Sequence, residues 1–223
     1  MPQIKAIASL AGTTRTPEPL AIATRVGGFG GRAGFEAYLR DQAIAAVLDA
    51  THPFAARITA RTAEVCADFG LPHAVVLRPG WQPQSDDDWT FIEREEDAAA
   101  LIPPGTTVFL GTGPQGLNRF ANLVGRRVIC RRIDTPQNAF PFAGGEYLVG
   151  RPPFSVPDEM ALFRRLGVNW LVVKNSGGAP SRSKLDAARK LQIKVALLRR
   201  PPVPRARILQ TVEEALDWVR ALT

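Results

Sequence analysis

Short apolar runs alternate along the chain with longer stretches whose apolar positions recur every three or four residues. Several of the short runs, such as Ala45-Ala-Val-Leu48 and Trp170-Leu-Val-Val173, are apolar on both faces. Strands of that kind are covered by helices above and below, as in a parallel sheet. The pattern predicts strands at Ile4–Leu10, Ala21–Val26, Ala45–Asp49, Ala74–Leu77, Thr107–Leu110, Arg127–Arg131, Glu146–Val149, Trp170–Lys174, Lys194–Leu198 and Arg207–Leu209. It predicts helices at Gly34–Gln42, Pro53–Phe69, Glu95–Ile102, Pro114–Leu123, Pro157–Leu166, Ser181–Leu191 and Thr211–Ala221. Pro53, Pro114 and Pro157 fall where a first helical turn tolerates proline, and Thr211-Val-Glu-Glu214 reads as a capping box.

Strand and helix alternation gives an α/β fold. The polar, proline-rich segment Arg78–Asp88 reads as a connector, and Pro103-Pro104-Gly105 as the break between a lobe at 1–103 and one at 104–223. Two α/β lobes with a cleft between them are expected.

Hydrophobic residues make up 45% and charged residues 22%, which excludes a disordered chain. No apolar run approaches the ~18 residues of a membrane span, and the start lacks a signal-peptide core. Cys66 and Cys130 suit reduced thiols in a cytoplasm better than a disulfide framework, so a cytoplasmic protein is expected. A monomer is expected as well. The net charge is +7, and only five of the 28 cationic side chains are lysines. The excess of guanidinium groups suits either a polyanionic ligand or a genome whose codons favour arginine. Long blocks of like charge and nucleic-acid-binding motifs are absent, so a nucleic-acid partner is not expected.

In open parallel sheets, ligands collect where strands end and helices begin. Four such turns have suggestive compositions. Ser9-Leu10-Ala11-Gly12, followed by Thr13, Thr14 and Arg15, offers hydroxyls and a cation suited to a ribose and its phosphate, or is an ordinary turn. Gly27-Gly28-Phe29-Gly30-Gly31, flanked by Arg25 and Arg32, allows backbone to approach a ligand closely, or is a flexible loop. Asp49-Ala-Thr51-His52-Pro53 places a histidine at a predicted helix N-terminus, where the neutral imidazole is favoured. His52 is thus a candidate for proton transfer or a ligand hydrogen bond, and Thr51 for a ligand contact or the helix N-cap. Lys174-Asn175-Ser176-Gly177-Gly178, with Lys184 after it, suits an anion.

A fifth turn, Gly111-Thr-Gly113-Pro-Gln-Gly116 with Asp134 downstream, has the best dinucleotide spacing. Pro114 removes one N–H from it, so it is read as a decoy. No metal site is expected, because the histidines and cysteines lack ligand spacing.

Together, Ser9-Leu-Ala-Gly, Arg25-Val-Gly-Gly-Phe-Gly-Gly, Asp49-Ala-Thr-His-Pro-Phe-Ala, Arg78-Pro-x-Trp81, Lys174-Asn-Ser-Gly-Gly, Lys184-Leu-x-Ala-Ala-Arg189 and Arg200-Pro201 resemble the precorrin-6A reductase family of cobalamin biosynthesis, in the family's order. The resemblance spans nearly the whole chain. It implies two Rossmann-like lobes with parallel sheets, bound NADPH, and hydride transfer to one double bond of a polycarboxylate tetrapyrrole, giving precorrin-6B. On this reading Ser9, Leu10, Ala11, Gly12, Arg15, Gly28, Phe29, Gly30, Gly31, Thr51 and His52 bind the cofactor. Arg78, Lys174, Asn175, Ser176, Gly177, Gly178 and Lys184 bind the substrate. The catalytic acid or base is unknown, with His52 the candidate.

Three features depart from the family. The usual first strand and its Gly-Gly-Thr-x-Glu-Ala turn do not precede Ser9, Thr13 replaces an arginine for which Arg15 is the nearest substitute, and Arg61 stands where relatives carry asparagine. The first departure leads to the expectation that the functional chain begins upstream of Met1. Two rival readings are a cobalt-precorrin-6A reductase, with NADH or NADPH, and a corrinoid-binding protein without reductase activity.

Overall fold

The computed structural model describes residues 4–12, 19–179 and 181–222, and every strand pairing in it is parallel. The strands are β1 Ile7–Leu10, β2 Ala23–Val26, β3 Val47–Asp49, β4 His73–Val76, β5 Trp89–Ile92, β6 Thr107–Leu110, β7 Arg127–Arg132, β8 Gly145–Val149, β9 Trp170–Lys174, β10 Lys194–Leu198 and β11 Arg207–Leu209. The helices are α1 Gly31–Asp41, α2 Ala56–Asp68, α3 Ala98–Leu101, α4 Val156–Leu166, α5 Ser183–Lys190 and α6 Val212–Arg220. Short 3₁₀ helices lie at Glu95–Asp97 and Leu117–Phe120.

The chain forms two compact units, Met1–Leu77 with Pro202–Thr223, and Arg78–Pro201. The division predicted at 103/104 gives way to crossings at 77/78 and 201/202. Pro103–Gly105 is instead a tight turn inside the second unit, with Gly105 at φ 80° and its N–H donating to Gly125 O at 2.8 Å. The C-terminal segment returns to the first unit because β11 finds its ladder partner there, in β4.

In the first unit β1 pairs with β2, and a second sheet has the order β11-β4-β3. Phe35 and Leu39, one turn apart on α1, are buried with Val65 of α2 against Phe29, Val47 and Phe69. Trp218 and Ala215 of α6 cover Ala74 and Leu209. Thr211 caps α6 as predicted, accepting from Glu214 N at 3.1 Å. The Glu214 carboxylate, however, takes the N–H of Gln210 at 2.6 Å, one residue earlier than a standard box.

The second unit holds one six-stranded sheet in the order β5-β10-β9-β6-β7-β8. From β6 the chain steps outward to β7 and β8, then returns to β9 and steps the other way to β10. The reversal therefore lies between β6 and β9, the position at which doubly wound sheets bind ligands beyond their carboxyl ends. Phe109, Leu171, Leu197 and Leu185 are fully buried and form the core with Phe163 and Ile129. Ser155 and Asp158 close a reciprocal cap on α4, and Gly167 ends it in the left-handed conformation.

One strand was not predicted, and two predicted helices changed. Trp89–Ile92, not predicted as a strand, becomes one by adding to the edge of β10. The predicted helix at Glu95–Ile102 is a 3₁₀ helix followed by the four-residue α3. The predicted helix at Pro114–Leu123 shrinks to Leu117–Phe120, because Gly116 adopts φ 80°, which no helix continues through. Among the described residues, no helix is long and apolar enough to cross a membrane, and no cluster of His, Cys, Asp and Glu is arranged to hold a metal ion.

Candidate active site

Ser9, near the end of β1, lies opposite Arg25 of β2. The Arg25 guanidinium donates from Nη1 to Ser9 Oγ at 2.8 Å and to Gly27 O at 2.9 Å, and from Nη2 to Gly28 O at 3.0 Å. It also stacks over Phe29, 4.0 Å from the ring centroid. Beyond Ser9, Leu10 is half-buried and Ala11 and Gly12 are exposed, with Gly12 at φ 76°. Arg15 lies outside the described residues. Arg32, on the other side of the glycine loop, is engaged with Glu36, Glu64 and Asp68. Neither flanking arginine is therefore free to take a phosphate as its composition suggested.

The glycines of this loop have different reasons to be glycine. Gly27, Gly30 and Gly31 have φ of 115°, 74° and 93°, where a side chain is strained. Gly34 on α1 has ordinary dihedrals, but a Cβ there would stand 1.7 Å from Phe29 O. Gly28 meets neither demand: its φ is ordinary, and nothing lies within 4 Å of where its Cβ would be. Among the described residues, no group accepts a hydrogen bond from the N–H of Gly28, Phe29 or Gly30. Open space beside unmatched N–H groups fits the close approach of an anionic ligand to backbone.

Asp49 ends β3 buried, and its Oδ1 accepts from Thr51 N at 2.9 Å. Its Oδ2 is buried without a hydrogen-bond partner among the described residues. Helix α2 begins at Ala56, so Pro53 does not open it, and Thr51 is not its N-cap. The Thr51 hydroxyl instead lies 3.1 Å from that of Thr59. His52 occupies the turn before the helix: its carbonyl accepts from Ala55 N at 2.7 Å, and its Nδ1 accepts from Phe54 N at 3.2 Å. The residue is exposed.

In the second unit, three of the sequence runs interlock at the end of β9. The Asn175 amide grips Trp81 from both sides: Oδ1 accepts from Trp81 N at 2.7 Å, and Nδ2 donates to Trp81 O at 3.1 Å. Trp81 Nε1 donates to Gly178 O at 2.9 Å. Arg78 Nε donates to Ser176 O and Gly177 O, at 2.7 and 3.0 Å. Arg200, which sequence reasoning did not place in the site, donates from Nε to Asn175 O at 2.7 Å and from Nη1 to Arg78 O at 2.8 Å. Asn175, Ser176 and Gly177 are buried by these contacts, so this turn holds Arg78–Trp81 in place. Burial, and then the neighbouring Arg78 charge, lower the pKa of Arg200. No carboxylate pairs with either guanidinium among the described residues.

Lys174 and Lys184 stand at the reversal between β6 and β9. Burial lowers the pKa of Lys174, with Glu95 opposing and Arg119 reinforcing. Glu95 is buried and pairs with Arg119 at 3.3 Å; neither residue was singled out in the sequence, since each is an ordinary charge until β5 is recognised. Lys184 lies against Gly111 at the end of β6: a Cβ on Gly111 would come within 3.3 Å of Lys184 Cδ. Its Nζ donates to Ser181 O at 2.9 Å. Burial pulls its pKa down to about 8, with the Arg131 charge adding and Glu159 opposing. Arg131 and Glu159 form a buried bidentate pair at 2.8 and 2.6 Å beside it.

The Gly111–Gly116 decoy also sits at this reversal, but only the four-residue 3₁₀ helix follows it, too short to present a helix N-terminus to phosphate. Asp134 lies 4.0 Å from Arg151. Both cysteines are free and buried, and burial pushes each thiol up to about 11, which removes them as nucleophiles.

Residues 2–220 match the family model described as precorrin-6x reductase CbiJ/CobK. A precorrin-6A reductase of Rhodococcus erythropolis is 42% identical over all of this chain and 90% of the relative. One of Rhodobacter capsulatus is 36% identical over 96% of this chain and 86% of the relative. A cobalt-precorrin-6A reductase of Priestia megaterium is 24% identical over 80% of this chain and 74% of the relative. A solved structure described as CobK precorrin-6A reductase superposes with a TM-score of 0.91 at 35% identity, covering 97% of this chain and 86% of that one.

Proposed function

Because the chain belongs to the precorrin-6x reductase family, we propose that it reduces precorrin-6A to precorrin-6B with NADPH, as a cytoplasmic monomer. The observation that carries the choice of substrate is the ranking of its relatives. Precorrin-6A reductases match it at 42, 36, 38 and 35% identity, whereas cobalt-precorrin-6A reductases match at 24, 29 and 22% over less of the chain. Side-by-side assays with the cobalt-free and cobalt-containing substrates test this. Turnover of the cobalt-free form should exceed that of the cobalt form by roughly tenfold or more, a difference of about 1.4 kcal/mol in transition-state binding. Equal rates would remove the distinction.

The first unit's turns fit the cofactor. The N–H groups of Gly28, Phe29 and Gly30 would meet its phosphates, the open side of Gly28 leaves room for them, and the Ser9 and Thr51 hydroxyls would contact its sugars. Bound NADPH supplies the hydride, and the protein supplies orientation and charge balance. In the second unit, Arg78, Lys174 and Lys184 would neutralise substrate carboxylates, with Asn175–Gly178 fixing the first of these.

Two expected results follow from this placement. Gly28→Val should raise the Kd for NADPH roughly tenfold or more by filling the space beside the unmatched N–H groups. Its melting temperature should stay near wild type, because nothing lies within 4 Å of where the Cβ would stand. Nucleotide-fluorescence titration gives the Kd, and an unchanged value would remove the loop from the cofactor site. His52→Ala should lower turnover or NADPH affinity with the fold intact, since the residue is exposed in the turn between β3 and α2. Wild-type kcat and KM in that variant would reduce His52 to a turn residue.

A further inference from the structure

We propose that Arg25 is a positioning residue for the dinucleotide's phosphates: it holds the glycine loop from behind and does not itself touch them. The proposal rests on the reading that this loop takes the dinucleotide. A guanidinium beside a glycine loop invites the opposite role, that of a phosphate ligand. The contacts point to a brace.

Three donations from the Nη atoms end on protein oxygens, at Ser9 Oγ, Gly27 O and Gly28 O. One face of the group is covered by Phe29, and Tyr38 lies 5.2 Å from the guanidinium carbon. Phe29 is in turn fixed by Phe35, with ring centroids 4.8 Å apart, on the buried side of α1. The arginine is thus seated on an aromatic shelf with most of its donors committed to the loop.

The consequence for the loop follows from the peptide group. In a trans peptide the C=O of one residue and the N–H of the next point in opposite directions. Arg25 draws the carbonyls of Gly27 and Gly28 to its own side. The N–H groups of Gly28 and Phe29 must then point away from it. These are groups that find no acceptor among the described residues, and Gly28 has open space around it. Carbonyl oxygens repel a phosphate and N–H groups attract it, so the orientation of two consecutive peptides decides whether this loop can bind an anion. A bidentate hold on both carbonyls sets that orientation. A lysine, with one point of charge, cannot hold both in the same fork geometry.

The test uses Arg25→Met, which keeps the length and apolar contact, and Arg25→Lys, which keeps the charge. NADPH affinity is read by fluorescence titration of the full chain, folding by thermal melting, and kinetics at saturating NADPH. Arg25→Met should raise Kd roughly tenfold to hundredfold while kcat at saturation stays within about threefold, and Arg25→Lys should recover only part of the affinity. Full recovery by lysine would overturn the proposal, because a charge alone would then suffice. So would wild-type affinity in both variants while Gly28→Val has lost it. If Gly28→Val also binds NADPH normally, the cofactor reading beneath the proposal fails with it. A fall in kcat equal to the rise in Kd would assign Arg25 to the reaction step instead. Should Arg25→Met not fold, the partial or complete recovery seen with Arg25→Lys decides the matter.

Discussion

Lys184→Met is expected to make the protein more stable and a poorer binder of its substrate. The Lys184 ammonium is largely buried, donates to a single neutral acceptor, Ser181 O, and forms no ion pair among the described residues. Its pKa falls from 10.5 to about 8, which means that the fold disfavours the charged form. A gap of that size corresponds to on the order of 3 kcal/mol, as an upper figure. The sign follows from where the proton sits. Below about pH 8 both folded and unfolded chains hold it, and the fold carries the whole penalty. Between about 8 and 10.5 the unfolded chain keeps a proton that the folded chain has released, so wild-type stability rises across that window. Methionine removes the penalty, so the variant should gain roughly 1–3 kcal/mol at neutral pH, an advantage that shrinks as pH rises through the window. The substrate should respond in the opposite direction, with affinity falling roughly tenfold to hundredfold once a carboxylate loses its ammonium partner. In the wild type, KM should rise above about pH 8 as Lys184 deprotonates, and the variant should lose that limb. Melting and KM series across pH check both halves. A variant that is less stable at neutral pH and binds substrate normally would make Lys184 a packing residue.

Asn175→Ala is expected to cost about 2–4 kcal/mol and to weaken substrate binding together with the fold of the second unit. The side chain satisfies both backbone groups of buried Trp81, and alanine leaves that N–H and C=O unpaired. Gly177→Ala attacks the same junction from the other side. Its φ is 67°, and a Cβ would stand 2.1 Å from Pro79 O, a backbone atom that cannot swing aside. Because both changes release Arg78–Trp81 from the same turn, the double variant should lose clearly less than the two single losses added. Denaturant unfolding of the three variants measures this. Additive losses would show that the turn and the Arg78–Trp81 segment are held independently.

The strands most deeply buried were the most legible. β6, β9 and β10 carry continuous apolar runs with clear ends, and their predicted and observed limits coincide at Thr107–Leu110, Trp170–Lys174 and Lys194–Leu198. β5 was hidden because Trp89-Thr-Phe-Ile follows three aspartates and becomes a strand only by pairing with β10, more than a hundred residues later. The return of β11 to the first unit is likewise a property of the ladder and leaves no local mark. At the candidate site, sequence placed Lys174 at the end of a strand, Gly28 in the turn after one, Lys184 near the start of a helix and Arg78 in a connector, and the chain has them there. It could not separate ligand contacts from braces. Arg25, Arg32 and Asn175 have the donors that a polyanion would want, and the same donors serve a carbonyl or a carboxylate of the protein equally well. Only the positions of their acceptors tell the two apart.

The central claim is tested most directly by mixing the purified protein with precorrin-6A and NADPH under anaerobic conditions and following both compounds. The expected result is stoichiometric oxidation of NADPH as precorrin-6A becomes its two-electron-reduced product. Retention of the tetrapyrrole on the protein with no NADPH oxidised would contradict the account and leave a corrinoid-binding protein in its place.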